Sequence, residues 1–358
     1  MPSLKEIKGR INSISSTLAI TSAMKMVAAA KLQKAQMAIQ NMLPYERRLY
    51  SMLVDLMGAM NISAAASEDG SVRGSGSAER GFDQSGDRLS LSNRHDLAGM
   101  DGAYSLMAQR EVRKVAIVAF ASNSSLCGAF NSNVIREATA VINEYRASGL
   151  GDADITVYSV GRKMAEAMRK LGFPSPADFT KMSDSPSYEA ASALAQELLD
   201  GFVSGRFDKV ELVYNHYKST SSQPTTRQTY LPLSLADATA DIQVGKITDS
   251  ASESDTNRGA EPVGAPVVRQ GSPTTEDLIV EPSKEALIAT LLPKVIRLRI
   301  FTTLLDSAAA EHAARTVAMQ LATDNGNDLL QELTLEYNKG RQQKITSEIL
   351  DLVGGSMQ

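Results

Sequence analysis

The fold is decided by the stretch EHAARTVAMQLATDNGNDLLQELTLEYNKGRQQKITSEILDLVGGSMQ, Glu311 to Gln358. It contains no proline and has the pattern of a helix much longer than the usual globular helix. Large apolar residues recur at three- and four-residue steps along one narrow stripe, the seam, at Leu330, Leu333 and Tyr337 and again at Ile345, Ile349 and Leu352. Most of the remaining surface is small or polar, so the helix needs a partner along its seam.

The N-terminal segment carries a matching seam. Its apolar positions are Ile7, Ile11, Ile14, Leu18, Ala28, Leu32, Ala35, Ile39, Met42, Leu49, Leu53, Leu56 and Met60, interrupted by Thr21 and Lys25. Helices from Pro2 to about Met60 and from Pro282 to Leu352 would reach roughly 80 Å and roughly 100 Å. Because each has one apolar stripe that must leave water, we expect the two to pair as an antiparallel hairpin.

Between these helices, patterns of strand and helix alternate. Buried strands are predicted at Val115–Phe120, Ile155–Val160 and Val210–Tyr214, with an edge strand at Gln228–Leu233. Helices are predicted at Asn131–Ser148, capped by Asn131, and at Arg162–Leu171 and Ser187–Val203. The predicted fold class is therefore α/β: a long antiparallel coiled coil of the terminal helices with an inserted Rossmann-like domain built on a mostly parallel sheet.

Two segments fit neither pattern. Residues 64–98 and 248–276 are rich in Gly, Ser, Asp and Pro, which predicts solvated, mobile insertions. The expected division is 1–60 for the N-terminal helix, 61–110 for the first insertion, 111–247 for the α/β domain, 248–276 for the second insertion and 277–358 for the C-terminal helix. Pro293 should kink the last helix or make it start afresh near Lys294.

Composition excludes several classes of protein. A net charge of -4 and a pI near 5.6 argue against a general nucleic-acid binder, and no apolar run approaches membrane-spanning length. The first fifty residues, however, carry eight Lys and Arg against two Glu. This basic amphipathic stretch is either a solvated helix face or an organelle transit peptide, and the seam that continues beyond it disfavours the transit peptide. A single cysteine, Cys127, excludes an internal disulfide.

The most enzyme-like feature is SNSSLCGAFN, Ser122 to Asn131, which follows the first strand and opens a helix. Loops there bind phosphates in open parallel sheets, but this one lacks the GxGxxG spacing, and no acidic residue ends the second strand. A structural turn is the simpler interpretation. Cys127 would need a base from among His95, His216 and His312, and no Cys or His pair has metal-ligand spacing. We expect no catalytic residue, cofactor or metal.

Five separate segments together resemble the gamma subunit of the F-type ATP synthase: ITSAMKMVAAAKLQKAQ (Ile20–Gln36), SLCGAFN (Ser125–Asn131), and AMQLATDN, YNKGRQQ and ITSEI in the last helix. The resemblance implies that the hairpin is a non-catalytic central rotor shaft seated in a hexamer of alpha and beta subunits. It implies that the α/β domain binds the epsilon subunit and the c ring. Membrane association would then be indirect, on the cytoplasmic face of a bacterial plasma membrane.

The same resemblance implies which side chains touch the catalytic subunits. Met26, with Lys25 beside it, matches the contact on the first helix, whereas most other methionines fall on or beside the seam as core filler. Arg315, Gln342 and Thr346 match contacts on the last helix, where exposed polar groups would form exchangeable hydrogen bonds. The alternative for Arg315, Gln342 and Thr346 is that they are solvated helix residues.

Two rival functions stay open at this point. A nucleotide-binding α/β enzyme with helical arms would use the Ser122–Asn131 loop and would bind nucleotide saturably by itself. A structural coiled-coil spacer would need neither the α/β domain nor a specific hexameric partner.

Overall fold

The computed structural model describes residues 3–68, 106–107, 110–233 and 284–356. Its helices are α1 (Leu4–Glu68), α2 (Phe130–Ala147), α3 (Arg162–Lys170), α4 (Thr180–Asp184), α5 (Tyr188–Val203) and α6 (Lys284–Ser356). Its strands are β1 (Val115–Phe120), β2 (Ile155–Val160), β3 (Lys209–Asn215) and β4 (Thr225–Leu231). The two predicted insertions, 64–98 and 248–276, fall almost wholly outside the described residues.

α1 and α6 form the predicted antiparallel hairpin. Leu4 lies against Gly340, Leu18 against Gly326, and the Thr323 hydroxyl donates to the Thr21 hydroxyl at 3.2 Å. From one of these pairs to the next, the residue number rises on α1 by as much as it falls on α6. The two seams therefore stay in register. The seam positions Ile7, Ala28, Leu32, Ala35, Leu49, Leu53 and Leu56 are buried. Thr21, an interruption in the apolar pattern, still lies at the interface because it bonds across it.

The seam of α6 ends earlier than the sequence predicts. Leu333 is 7% exposed, but Ile345, Ile349 and Leu352 are 48%, 55% and 75% exposed. The physical reason is length: α1 begins at Leu4, which lies opposite Gly340, so α6 continues beyond the start of α1. The burial predicted for this last part of the seam is wrong within this chain.

Pro293 does not restart α6, which runs from Lys284 through the proline to Ser356. A proline inside a helix costs about 3 kcal/mol or more. The neighbouring side chains of Leu292, Val295 and Ile296 are completely buried, and each such burial contributes about 1.5–3 kcal/mol. Packing around Pro293 is therefore sufficient to offset its cost.

The sheet has the order β2-β1-β3-β4, with β1, β2 and β3 parallel and β4 antiparallel at one edge. Both outer parallel strands pair with β1, where Ile117 lies opposite Val157 on β2 and Glu211 on β3. The predicted mostly parallel sheet is confirmed. The edge strand occupies Thr225–Leu231 rather than 228–233, and the short helix α4 was not predicted.

The two faces of the sheet are covered by different parts of the chain. Val115, Ile117 and Ala119 pack under α2 and α3. The alternate residues Ala116, Val118 and Phe120 share a core with α5 and with apolar residues of both hairpin helices, including Leu53 and Ile296. The hairpin is thus one of the two layers that bury the sheet, not an appendage to it.

A buried acid fixes the edge strand. Glu211 on β3 accepts hydrogen bonds from Arg227 of β4 at 2.7 and 3.2 Å and from the Tyr145 hydroxyl of α2 at 2.7 Å, and Lys209 is 2.7 Å away. Burial alone would raise the pKa of Glu211, but these donors outweigh it and hold the pKa below its ordinary value. The carboxylate therefore stays charged and joins α2, β3 and β4.

Gly326 offers a direct test of the hairpin's close approach. A Cβ at this position would lie 2.6 Å from Leu18 Cδ2, whereas a Cβ at Gly9 on α1 would meet nothing within 4 Å. Gly326→Leu should lower the thermal midpoint of the full chain, because overpacking costs about 1–3 kcal/mol. Gly9→Leu should raise it, since leucine is the better helix former by roughly 1 kcal/mol. Circular dichroism measures both, and a rise at both positions would contradict the register.

Candidate functional site

The loop after β1, Ser122–Gly128, lies where the sheet meets α6. Its residues bond to one another: the Asn131 side chain accepts from the Ser122 amide at 3.0 Å and donates to the Ser124 carbonyl at 3.2 Å. Leu126 and Gly128 both have a positive φ, 68° and 58°, so the chain turns sharply here. α2 begins at Phe130 after Ala129, and Asn131 therefore ties the loop together instead of capping the helix as predicted.

α6 packs against the loop at the place where an open parallel sheet would hold a nucleotide phosphate. Ala310 packs with Cys127 and Phe130, and Arg315 Nη2 donates to Ser124 Oγ at 2.7 Å. Because the helix itself takes the space next to the loop, this arrangement favours the structural-turn interpretation over a phosphate site.

Cys127 is 1% exposed, and its sulfur accepts from the Asn131 amide nitrogen at 3.1 Å and lies 3.7 Å from Ser122 Oγ. None of these partners is a base. A nucleophilic cysteine needs both access and a base, so the surroundings of Cys127 are those of a packed core thiol.

Arg315 is less exposed than the sequence suggested. Its side chain is 15% exposed, and besides Ser124 it binds Glu311, one turn earlier on α6, with Nη1 2.6 Å from Oε1. Burial raises the pKa of Glu311, while Arg315 and Lys31 oppose that rise. The expectation of a freely exposed guanidinium is wrong, because the neighbouring acid and the β1 loop both hold it.

His312 lies in the same part of α6, and its surroundings favour the neutral form of the imidazole. Burial, with help from Arg315 and Lys31, lowers the pKa of His312 to about 4. Its Nδ1 is buried without a hydrogen-bond partner among the described residues. The imidazole is therefore neutral at neutral pH, and the cluster Lys31, Glu311, His312 and Arg315 joins both hairpin helices.

The other four predicted site residues lie on the hairpin surface. Met26 is 65% exposed and Lys25 is half-buried, in the middle of α1. Gln342 and Thr346 are exposed on the part of α6 that extends past α1, roughly 40 Å along the helix from Arg315. The Thr346 hydroxyl donates to the Gln342 carbonyl at 2.9 Å, and among the described residues no hydrogen bond or ion pair joins Gln342 or Thr346 to Lys25, Met26 or Arg315, so the five form two separate zones rather than one site.

The end of α6 also presents large apolar side chains that the sequence analysis had assigned to the hairpin interface. Besides Ile345, Ile349 and Leu352, Leu350 and Val353 are 64% and 51% exposed. Clustered exposed apolar residues mark an interaction surface. The sequence already indicated this exposed end, because the predicted C-terminal helix is longer than the predicted N-terminal helix.

A second feature missed from the sequence is the contact of the β3–β4 turn with the hairpin. The sequence offers His216 only as a candidate base for Cys127, yet its Nδ1 lies 2.6 Å from Asp306 Oδ2 on α6. The hydrogen bond to Asp306 raises the pKa of His216, against the opposing effects of burial and Lys218. His216 and Asp306 thus connect the sheet to the hairpin.

Within the ranges that the structure describes, no group of three or more His, Cys, Asp or Glu side chains could hold a metal ion. The same ranges contain no helix with the length and hydropathy needed to cross a bilayer.

The two histidines should shift stability in opposite directions with pH. For His312 the folded pKa is depressed, so its favourable contribution is present above the unfolded value near 6.5 and is lost as pH falls towards about 4. For His216 the folded pKa is raised, so its contribution is present below about 6.5 and is lost as pH rises through the folded pKa.

We therefore expect His312→Gln to flatten the loss of stability between about pH 6.5 and 4, and His216→Gln to flatten the loss above about pH 6.5. Urea unfolding of the full chain across this range measures both slopes. If the two variants showed the same dependence of unfolding free energy on pH, the surroundings described for His312 and His216 would be incorrect.

Known proteins resemble the chain over its whole length. A family model described as ATP synthase matches residues 3–357. The ATP synthase gamma chain of Phocaeicola vulgatus is 47% identical over 357 residues and that of Bacteroides thetaiotaomicron 45% over 358, with 100% of each chain covered in both alignments. A chain in the cryo-EM structure of Euglena gracilis mitochondrial ATP synthase (OSCP/F1/c-ring, rotational state 3) matches with a TM-score of 0.52 at 19% identity, covering 99% of this chain and 93% of that one. At that identity the structural match concerns the fold alone.

Proposed function

The chain belongs to the ATP synthase gamma chain family, and on that premise we propose that it is the central-stalk rotor of a proton-translocating F-type ATP synthase. Its role is to couple ion-driven rotation to ATP synthesis in a hexamer of alpha and beta subunits. The observation that carries this proposal is the hairpin, whose longer helix extends past its partner and exposes an apolar end. A rod of this kind is complete only when another protein surrounds its tip.

The proposed partners are those that membership of the family implies. The exposed end of α6 enters the alpha–beta hexamer, and the α/β domain binds the epsilon subunit and the c ring. Membrane association is then indirect, and the chain is a peripheral protein on the cytoplasmic face of the bacterial plasma membrane. Exposed Lys5, Lys8, Lys31 and Lys34 on α1 favour contact with acidic surfaces of the surrounding subunits.

The chain contributes no catalytic group and binds no nucleotide of its own in this proposal. Support comes from α6, which packs against the β1 loop, and from the buried surroundings of Cys127. The rival nucleotide-binding enzyme would need that loop open, and the plain coiled-coil spacer would not need α6 to be built into a second domain.

Calorimetric titration of the purified full chain with ATP separates these functions. We expect no saturable heat at micromolar ATP, because Arg315 and Ala310 of α6 lie against the loop where a phosphate would bind. Saturable one-to-one binding in that range would favour the enzyme.

The exposed end of α6 supplies a test of insertion into the hexamer. Ile349→Asp combined with Leu352→Asp should leave the thermal midpoint of the isolated chain nearly unchanged, since both side chains are more than half exposed. The same variant should recover less alpha and beta subunit on affinity purification of the complex. Leu333→Asp is the control: its side chain is 7% exposed, so the midpoint itself should fall. Full recovery of the hexamer by the double variant would contradict the proposed insertion.

We further propose that Lys25, Met26, Arg315, Gln342 and Thr346 contact the catalytic subunits during rotation. Met26→Lys adds a donor at an exposed position and should stabilise some rotary angles over others. Arg315→Gln weakens the charge-assisted bond to Glu311. In inverted membrane vesicles both variants should lower ATP-driven proton pumping by a larger fraction than ATP hydrolysis.

Met37→Lys is the matched control, because Met37 is also on α1 and 50% exposed but lies outside the proposed contact. It should leave the ratio of pumping to hydrolysis unchanged. A proportional fall of both activities in Met26→Lys, or the same change in ratio for Met37→Lys, would refute the assignment of these contacts.

A further inference from the structure

The turn between β3 and β4, residues 216–224, is a closed structure that leaves the sheet and lies against the hairpin. The His216 amide donates to the Pro224 carbonyl at 2.9 Å, and Ser219 and Ser222 exchange backbone hydrogen bonds at 3.1 and 3.2 Å. These bonds lie within the turn itself and do not involve the helices.

On α6, one carboxylate receives two consecutive residues of this turn. Asp306 Oδ1 accepts from the Tyr217 amide at 2.9 Å, and Asp306 Oδ2 lies 2.6 Å from His216 Nδ1. The Asp306 side chain is only 17% exposed. Hydrogen bonds to an ionised acceptor are shorter and stronger than neutral ones, so this carboxylate fixes both the position and the direction of the turn.

The same turn also contacts α1, through the side-chain hydroxyl of Tyr217. Gln36 Nε2 donates to the Tyr217 hydroxyl at 2.6 Å. The tyrosine ring packs against the buried seam residues Leu32, Ala35, Ala309 and Ala313, where small side chains bring the two helices together. Tyr217 therefore contacts α1, α6 and the sheet's own turn at once.

Directional bonds matter here because apolar packing beside the turn is incomplete. A cavity of about 550 Å³ separates parts of α1, α6 and the β3–β4 hairpin, and its lining includes Ile39, Met42, His216, Tyr217 and Asp306. Apolar contact has no preferred direction, so it resists separation of the sheet from the hairpin better than it resists rotation between them. The bonds of Asp306 and Gln36 supply a directional constraint at this end of the sheet, beside those from Arg315 to Ser124 and from Tyr230 to the Ile296 carbonyl.

We propose that the β3–β4 turn is a clamp that fixes the α/β domain to both helices of the hairpin, with Asp306 and Tyr217 as its positioning residues. Resting on the proposed rotor function, the clamp is one route by which torque passes from the α/β domain to α1 and α6. Without it the domain stays folded and attached, but the hairpin lags behind when the domain is turned.

The clamp itself is tested on the purified full chain, independently of any rotary activity. Tyr217→Phe keeps the ring and removes the bond to Gln36 at 2.6 Å together with the longer contact to Thr220 Oγ1 at 3.4 Å, and Asp306→Asn removes the charged acceptor. Amide hydrogen exchange in residues 216–222 should quicken about fivefold in Tyr217→Phe, the factor for losing one net hydrogen bond, and more in Asp306→Asn. Tyr158→Phe is the matched control, because its hydroxyl donates to Glu197, which lies inside the α/β domain, at 3.1 Å. Unchanged exchange in both clamp variants would overturn the proposal.

The torque route is tested on the assembled complex by single-molecule measurement of torsional stiffness between a bead on the α/β domain and the fixed hexamer. Both clamp variants should lower this stiffness while leaving the amount of assembled complex and its ATP hydrolysis unchanged, and Tyr158→Phe should not lower it. If a clamp variant shows faster amide exchange in the turn but the torsional stiffness of the wild type, the proposal that torque passes through the clamp is overturned. Absence of ATP-driven rotation in the wild-type complex would instead overturn the rotor function, with the exchange result still deciding the clamp.

Discussion

The packing of α1 against α6 along their seams is the interaction on which the rest of the structure depends. It needs small residues at defined points, because Gly326 and Gly340 admit Leu18 and Leu4, and Ala309 and Ala313 are completely buried between the helices. The paired helices then form one cover of the sheet, so that Phe120 and Val118 share a core with Leu53 and Ile296. A change in hairpin register would therefore disturb the α/β domain as well as the rod.

The hairpin differs in chemistry along its length. Near the sheet it carries buried charge: Glu311 with Arg315, the neutral His312 beside them, and Asp306 holding the β3–β4 turn. Beyond Gly340, α6 is a single helix with every described side chain exposed. The first zone fastens the rod to its own domain, while the second offers both apolar and polar groups to a surrounding protein. In the proposed rotor, the first zone receives torque from the α/β domain and the second transmits it to the catalytic subunits.

Much of the fold could be read from the sequence because the decisive signals are local. Val115–Phe120 and Ile155–Val160 are continuous apolar runs, and both strands have these predicted bounds. The spacing of Leu32, Ala35 and Ile39 similarly identifies a helix face. Of the two outcomes predicted at Pro293, the fresh helix start does not occur, because the effect of the proline depends on tertiary packing, which local propensity cannot include.

The functional surface was harder to predict because it depends on contacts between distant residues. The Glu311–Arg315 pair has the i,i+4 spacing of a helical ion pair, so the pair could have been anticipated, but its low exposure could not. Nothing local links Gln36 to Tyr217, or His216 to Asp306, since each pair is joined only by the way the sheet lies on the hairpin. The exposure of Ile349 likewise depends on where a helix at the other end of the chain begins.

The central claim is that the hairpin and the α/β domain turn as one body inside a catalytic hexamer. The most direct measurement is video microscopy of a bead attached to the α/β domain while the surface-held complex, assembled with this chain, hydrolyses ATP. We predict continuous rotation in one direction, pausing at three angles set by the three catalytic sites. Steady ATP hydrolysis by the same molecules with a bead that only fluctuates about one angle would contradict it.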